Sequence, residues 1–175
     1  MINKVKTIIN RIKRENKKRK WNNSVANTAK SCGEKLYVNE YSAVTANTVL
    51  GNNVHLNGLI VSGDGEAVIG NNFFCGNHVR IFTENHNVGG GYLPYDEKRI
   101  YKKVIIEDNV WCGEGVKILP GAIVHEGVII QAGAVVSGEI PRCSYIGGNP
   151  AKPFKMRNIE HYDKLKRDNK FFYCN

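Results

Sequence analysis

From Ile106 the chain reads Ile106-Glu107-Asp108-Asn109-Val110-Trp111-Cys112-Gly113-Glu114-Gly115-Val116-Lys117-Ile118-Leu119-Pro120-Gly121-Ala122-Ile123-Val124, and it continues in the same rhythm to Ile140. One apolar position recurs every six residues: Ile106, Cys112, Ile118, Val124, Ile130 and Val136. Four residues after each stand Val110, Val116, Ala122, Val128, Ala134 and Ile140, again apolar and mostly small. Neither a helix of period 3.6 nor an alternating strand of period 2 produces a rhythm of six; short strands joined by sharp corners do. Upstream the same template fits Val38, Val44, Leu50 and Leu56, then Ile69, Cys75 and Ile81, with a one-residue slip near Gly63-Asp64-Gly65.

Three residues after the repeat position stand Asn47, Asn53, Asn72, Asn109, Gly115, Gly121, Gly127 and Gly133. Asn and Gly enter positive φ at low cost, so this column predicts a tight turn at each corner, and His78 falls on the same column. Stacked coils of this kind place one apolar residue per short strand in a shared interior, because no single coil can bury its own face.

The densest part of the pattern contains Asp108-Asn109-Val110-Trp111, Leu119-Pro120-Gly121, Gln131-Ala132-Gly133-Ala134-Val135-Val136 and Gly148-Asn149-Pro150-Ala151. In these residues the chain resembles the hexapeptide-repeat acyltransferases, within their branch of sugar and xenobiotic O-acetyltransferases. The resemblance implies an all-β fold, a left-handed parallel β-helix with three hexapeptides per triangular coil. It covers residues 38 to about 155. The expected organisation is a basic helical arm over 1–22, a β-helix domain over 23–153 with a loop excursion over 83–103, and a helical tail over 154–175.

Composition sets the frame for this reading. A chain of 175 residues is one domain by length, and 42% hydrophobic with 23% charged residues excludes wholesale disorder. No stretch has the apolar length of a membrane span, and the start does not read as a signal peptide. The net charge of +9 is concentrated: residues 1–20 hold nine Lys and Arg against Glu15, which is +8 and leaves +1 for the rest. A basic arm on a nearly neutral body argues against a nucleic-acid-binding face. Cys32, Cys75, Cys112, Cys143 and Cys174 form an odd set without a CxxC pair, which points to free thiols in a reducing cytosol.

Within the arm, Val5, Ile8, Ile9 and Ile12 are at helical spacing among basic residues. Such a helix either packs on the body or a neighbouring subunit, or contacts an anionic membrane surface peripherally through residues 1–20. Residues 155–173 read as a second helix with a packing stripe of Met156, Ile159, Tyr162 and Leu165.

The repeat breaks for 25 residues between Ile81 and Ile106, and a loop this long in a compact domain is usually functional or disordered. It holds Glu84-Asn85-His86, the glycines Gly89–Gly91, Tyr92, Pro94 and Tyr95. A loop histidine has an ordinary reading as a solvated side chain and a functional one as a general base, since a neutral imidazole takes a proton from an attacking hydroxyl. The resemblance favours the second: the family carries a loop histidine at this place, and His86 matches it. Glu84 and Asn85 are then candidates to orient His86 or to bind the acceptor. The remaining histidines fit less well: His55 and His125 fall on exterior, solvated positions, and His161 in the tail helix.

Other chemistries find little support. A carbonic-anhydrase branch shares the fold and binds zinc through histidines, two of them five apart; here the nearest pair, His78 and His86, is eight apart, so no metal is expected. No Gly-x-Ser-x-Gly elbow is present, and cysteines on core positions would be inert, so direct transfer without a covalent enzyme intermediate is expected.

The resemblance further implies acetyl-CoA as co-substrate, lying in a groove between the subunits of a homotrimer. Gly113 and Ala132 keep one wall bare for the pantetheine arm, and Ser137, Lys152 and Lys155 match family positions near the pantetheine and phosphates. Each of these also has an ordinary reading as a turn or surface residue. Ser137-Gly138-Glu139 departs from the Thr-Lys-Asp usual there, which removes one basic group. Trp111 is placed by the resemblance at the seam, bordering the acceptor or the pantetheine end. The function expected is O-acetylation of a sugar hydroxyl in surface-polysaccharide assembly in the cytoplasm. A xenobiotic or amino-sugar acetyltransferase and a non-catalytic β-helix scaffold remain the alternatives.

Overall fold

The computed structural model describes residues 2–173, with side chains from Val5 onward; Cys174 lies outside the described residues. The chain is a left-handed β-helix with a helix before and after it. Three parallel sheets form the faces of a triangular prism. The first face runs Ser31–Cys32, Thr48–Leu50, Ala67–Ile69, Val104–Ile106, Ile123–Val124 and Glu139–Ile140; the second runs from Leu36–Glu40 through Val54–Asn57, Phe74–Cys75, Trp111–Cys112 and Ile129–Ile130 to Ser144–Gly148; the third holds Leu59–Ser62, Val79–Phe82, Lys117–Ile118 and Val135–Val136.

Strand register states the repeat directly. Ile106 pairs with Val124, Cys112 with Ile130 and Ile118 with Val136, each one coil of 18 residues along. All six residues of the inward column, Ile106 to Val136, are at most 1% exposed. The column four residues later is buried as well, and upstream it continues in Val54, Phe73 and Val79. Leu50 pairs with Ile69, 19 residues on, which locates the extra residue anticipated near Gly63. Ile81 pairs with Ile118, 37 residues on, so the excursion adds the length of one further coil without displacing the stack.

The corners obey the turn column with one exception. Asn53, Asn72, His78 and Asn109 have φ between 53° and 61°, and Gly115, Gly121, Gly127 and Gly133 lie between 71° and 84°. Asn47 does not adopt positive φ: its corner is a turn closed by the Thr48 N–H on the Thr45 carbonyl, and its amide donates to the Asp64 carbonyl at 2.6 Å. The corner between the first and second faces is tied by two side-chain ladders. Asn53 donates to Asn72 Oδ1 (2.8 Å), Asn72 to Asn109 Oδ1 (2.9 Å) and Asn109 to the Tyr162 hydroxyl (2.9 Å). Beside it, Asn52 and Asn71 accept from the Glu34 and Asn52 N–H groups, and Asp108 accepts from the Asn71 N–H. The second ladder satisfies corner N–H groups that no sheet partner reaches, and the first pairs the side-chain amides with one another.

The first coil is covered by a helix, and at the other end one face gains an added strand. Helix α1 (Ile2–Thr28) continues past residue 22, and its C-terminal part brings Val25 and Trp21 onto the first coil, while Asn22 accepts from the Val38 N–H. At the other end Ala151–Met156 pairs antiparallel with Ser144–Gly148. The tail helix expected over 155–173 is therefore shorter: Met156 belongs to this strand, and helix α2 spans Ile159–Arg167. Asn158 caps it by accepting from the His161 N–H, and left-handed Asn169 ends it. Of the expected packing stripe only Tyr162 is buried; Ile159 and Leu165 are exposed.

Because Ile118 is fully buried between Ile81 and Val136, Ile118→Ala leaves a void that the rigid stack closes only in part. Urea unfolding is expected to show a loss of about 2–5 kcal/mol, with the slope unchanged.

Candidate functional site

The excursion leaves the prism at Thr83, whose buried hydroxyl donates to the Ser62 carbonyl, and rejoins it where the Lys102 N–H donates to the Thr83 carbonyl at 2.8 Å. Between these anchors Glu84–His86 and Arg99–Tyr101 form a short antiparallel pair in which Arg99 stands opposite His86. The tip is closed by Asp96, which accepts from Asn87 Nδ2 (2.8 Å) and the Lys98 N–H (2.9 Å). Gly90 lies directly beneath this carboxylate, and a β-carbon there would overlap it.

His86 is half-buried and held on two sides. The Tyr95 ring stacks on it at 3.7 Å between centroids, and Arg99 Nη1 lies 3.1 Å from Nδ1 and 2.9 Å from Nε2. A guanidinium only donates, so the nitrogen it bonds is the one carrying the lone pair. Glu84 lies 3.8 Å from Arg99 and accepts from the Asp64 N–H, so it reaches His86 through Arg99. Strand alternation puts Glu84 and His86 on one side of the pair and the exposed Asn85 on the other. The sequence carries no sign of these two partners of His86: Arg99 is in a strand of three residues, too short for an alternating pattern, and Tyr95 is in the loop between the two strands.

The other expected site residues lie elsewhere on the prism. Gly113 and Ala132 stack in successive coils at the corner between the second and third faces, where a β-carbon on Gly113 would come within 2.6 Å of the Ala132 nitrogen. One coil on, the same corner is formed by Gly147 and Gly148, with Lys152 paired to Gly147. Close backbone packing thus keeps this edge free of bulk. Lys155, on the antiparallel strand, sits over the Tyr145 ring at 5.3 Å. Ser137 is exposed at the corner between the third and first faces, the corner from which the excursion departs in an earlier coil.

Trp111 is 55% exposed beside fully buried Cys112, on the outer surface of the second face. It lines a cavity of about 380 Å³ where α2 and residues 170–172 lie over that face, together with Phe74, Ile129, Tyr162, Leu165 and Arg157. His86 is not among the residues of that cavity. Within one chain the structure therefore groups Gly113, Ala132 and Lys152 along one edge, and His86 with Glu84 along another.

Two histidines differ from expectation. His55 is 6% exposed, not solvated: it is stacked between Tyr37 (4.3 Å) and Phe74 (4.1 Å) and bonds Asn53 Oδ1, and burial pushes its pKa down. An outward position can bury a ring because aromatic neighbours in register and the tail residues Phe172 and Tyr173 close over it. His125 bridges two carboxylates, Glu139 at 2.7 Å and Glu107 at 3.0 Å, and these hydrogen bonds raise its pKa, Glu139 first. Among the described residues no group of His, Cys, Asp and Glu is placed to hold a metal ion. Cys75, Cys112 and Cys143 are buried, and burial raises each thiol pKa, that of Cys75 to about 12. A thiolate nucleophile is not available at these positions.

Residues 103–138 match the bacterial transferase hexapeptide (six repeats) family. The chain is 35% identical over 125 residues to the galactoside O-acetyltransferase of Lactococcus lactis, an alignment covering 69% of this chain and 60% of the relative. It is 36% identical over 91 residues to WbbJ of Escherichia coli, a protein assigned provisionally as a lipopolysaccharide biosynthesis O-acetyl transferase, covering 46% of each. It is 34% identical over 74 residues to a chloramphenicol acetyltransferase of Agrobacterium fabrum, covering 42% of this chain and 32% of the relative. The chain thus spans about half the length of the curated relatives it matches. Among solved structures, a galactoside acetyltransferase in complex with coenzyme A superposes with a TM-score of 0.61 at 24% identity, over 82% of this chain and 69% of that one. The polysialic-acid-specific acetyltransferase NeuO does so at 0.53 and 24%, over 72% and 63%. These two likenesses establish the fold.

Two outcomes follow from the buried groups. In native protein at pH 8, iodoacetamide labelling read by peptide mapping is expected to modify half-exposed Cys32 while Cys75 and Cys112 remain unlabelled until urea is added. The charged His125 bridge stabilises the fold fully below the ordinary pKa of 6.5 and loses that contribution as pH rises through the higher native value; proton NMR should show His125 titrating above 6.5, and Glu139→Gln should bring it down.

Proposed function

We propose, from the match of residues 103–138 to the bacterial transferase hexapeptide family, that the protein is an acetyl-CoA-dependent O-acetyltransferase acting on a sugar hydroxyl in surface-polysaccharide assembly. The observation that carries the reading is the excursion: an imidazole is presented, half-buried and held by neighbours, outside a sealed core whose thiols are out of reach. Relatives named as galactoside and lipopolysaccharide O-acetyltransferases support a sugar acceptor. The unpaired cysteines are consistent with work in the cytoplasm, and no described helix is long and apolar enough to cross a membrane.

The residues present fit the co-substrate. The bare edge of Gly113 and Ala132, flanked by Lys152, offers backbone groups to a narrow amide-bearing arm and a cation to phosphates, with Lys155 further along the strand that carries Lys152; Ser137 stands apart from this edge, at the corner from which the excursion departs. Acetyl-CoA supplies an acyl group already activated as a thioester. His86 accepts the acceptor hydroxyl proton as the oxygen–carbonyl bond forms, and returns it to the sulfur as the carbon–sulfur bond breaks. Arg99, held against the imidazole and within 3.8 Å of Glu84, together with the Tyr95 ring keeps His86 oriented for this transfer. Trp111, on the second face and apart from the His86 edge of its own chain, borders the acceptor or the pantetheine end from the neighbouring subunit, and exposed Asn85, on the other side of the strand pair from His86, is left for the outer part of the acceptor.

The His86 edge and the Gly113–Ala132 edge are separate in one chain, so the site is completed between neighbouring subunits of a homotrimer, one chain giving the base and the next the cofactor wall. The match to a chloramphenicol acetyltransferase favours a second reading, a xenobiotic acceptor at the same site.

Thiol release from acetyl-CoA with a panel of sugars, and with chloramphenicol, tests both readings. His86→Ala is expected to lower kcat by about 10²–10⁴-fold while acetyl-CoA still raises the Tm. A folded His86→Ala protein as fast as wild type would remove His86 from the mechanism.

A further inference from the structure

The apolar residues of the first half of α1 lie on the side that cannot pack on the prism. At 3.6 residues per turn, Val5, Ile8, Ile9 and Ile12 occupy about 100° of arc, and Trp21 and Val25, which face the first coil, lie across the helix axis from them. Residues 5–17 are exposed on every side, and the four apolar residues are 51, 58, 44 and 54% exposed. This exposed rod is about 20 Å long. Basic residues border the stripe: Arg11 on one flank and Lys6, Lys13 and Lys20 on the other, while Glu15 pairs with Lys18 at 3.7 Å.

We infer that this arm is an interfacial docking helix for a lipid surface bearing anionic headgroups. An apolar stripe flanked by long cationic side chains fits the boundary of a bilayer, with the isoleucines entering the acyl region and the ammonium groups reaching up to phosphates. A charge of +8 within 20 residues, on a body of +1, places the attraction in the arm alone. Charge also decides against the other apolar occupant, a bundle of these arms: joining copies through the stripe would crowd +8 from each, whereas an anionic surface neutralises them. The arm lies parallel to a membrane and does not span it. The inference goes beyond acetyl transfer, and it stands or falls without the identity of the acceptor.

Co-sedimentation of the full chain with vesicles tests it, using phosphatidylcholine alone and phosphatidylcholine mixed with phosphatidylglycerol. Binding is expected to the mixed vesicles only, and to be released as salt is raised. Ile8→Asp with Ile12→Asp should weaken it at least about tenfold, and Lys6→Ala with Lys13→Ala about 25-fold, the Tm being unchanged because none of these side chains touches the body. Lack of binding to the mixed vesicles, equal binding to both kinds, or undiminished binding by the isoleucine variant would overturn the inference. So would dissociation of the oligomer by that variant in sedimentation velocity, which would assign the stripe to a subunit contact, or capture of DNA in place of vesicles.

Discussion

Everything in this molecule depends on like side chains stacking upon like at a spacing of one coil. Ile106, Val124 and Ile140 sit above one another on the first face, Cys112, Ile130 and Ile146 on the second, and Ile118 and Val136 on the third. Each residue is dry only because the coil above and the coil below supply its walls. A six-residue period is therefore the condition under which short strands have an interior at all, and the ladders Asn53–Asn72–Asn109 and Asn71–Asp108 extend the same rule to the polar corners. Registry along the axis, rather than the affinity of any one pair, is what the sequence must preserve.

The excursion follows from that constraint. Since the stack tolerates no change of register, an insertion has to leave and return at a single corner, and Thr83 provides both anchors through its hydroxyl and its carbonyl. The site built on it is consequently free of the repeat. Outside the prism, Tyr95, Arg99 and Asp96 are chosen by their local contacts with His86 and Asn87 and not by period. A rigid platform carrying a freely varied loop is a common division of labour between stability and specificity.

This division also explains what could be read in advance. The inward column, the slip near Gly63 and the corner residues are periodic, and periodicity survives without knowledge of any partner, so they were legible. Asn47 was not, because its corner is decided by a Thr45–Thr48 turn that shares the composition of the others. His55 was misjudged as solvated because its burial comes from Tyr37 and Phe74 in neighbouring coils and from Phe172 and Tyr173, more than a hundred residues away in the chain. The tail helix was overextended because Met156, Ile159, Tyr162 and Leu165 fit a 3.6 period, while hydrogen bonding to Ser144–Gly148 claims the first of them for a strand. In the excursion the histidine was identifiable as a residue type out of place, whereas the Arg99 contact depends on a pairing of two three-residue strands that leaves no pattern.

The two ends of the prism have a further meaning. A parallel solenoid presents, at its first and last coils, rows of unpaired amides and carbonyls in the geometry that a second molecule needs for end-on growth into a fibril. Trp21 and Val25 of α1 lie over the apolar interior of the first coil, where Asn22 also takes up the Val38 N–H, and at the other end the chain reverses at Ala151–Met156, so that the second face ends on an antiparallel strand. The flanking segments thus change the edges they cover from the parallel geometry that another coil of the same kind would need.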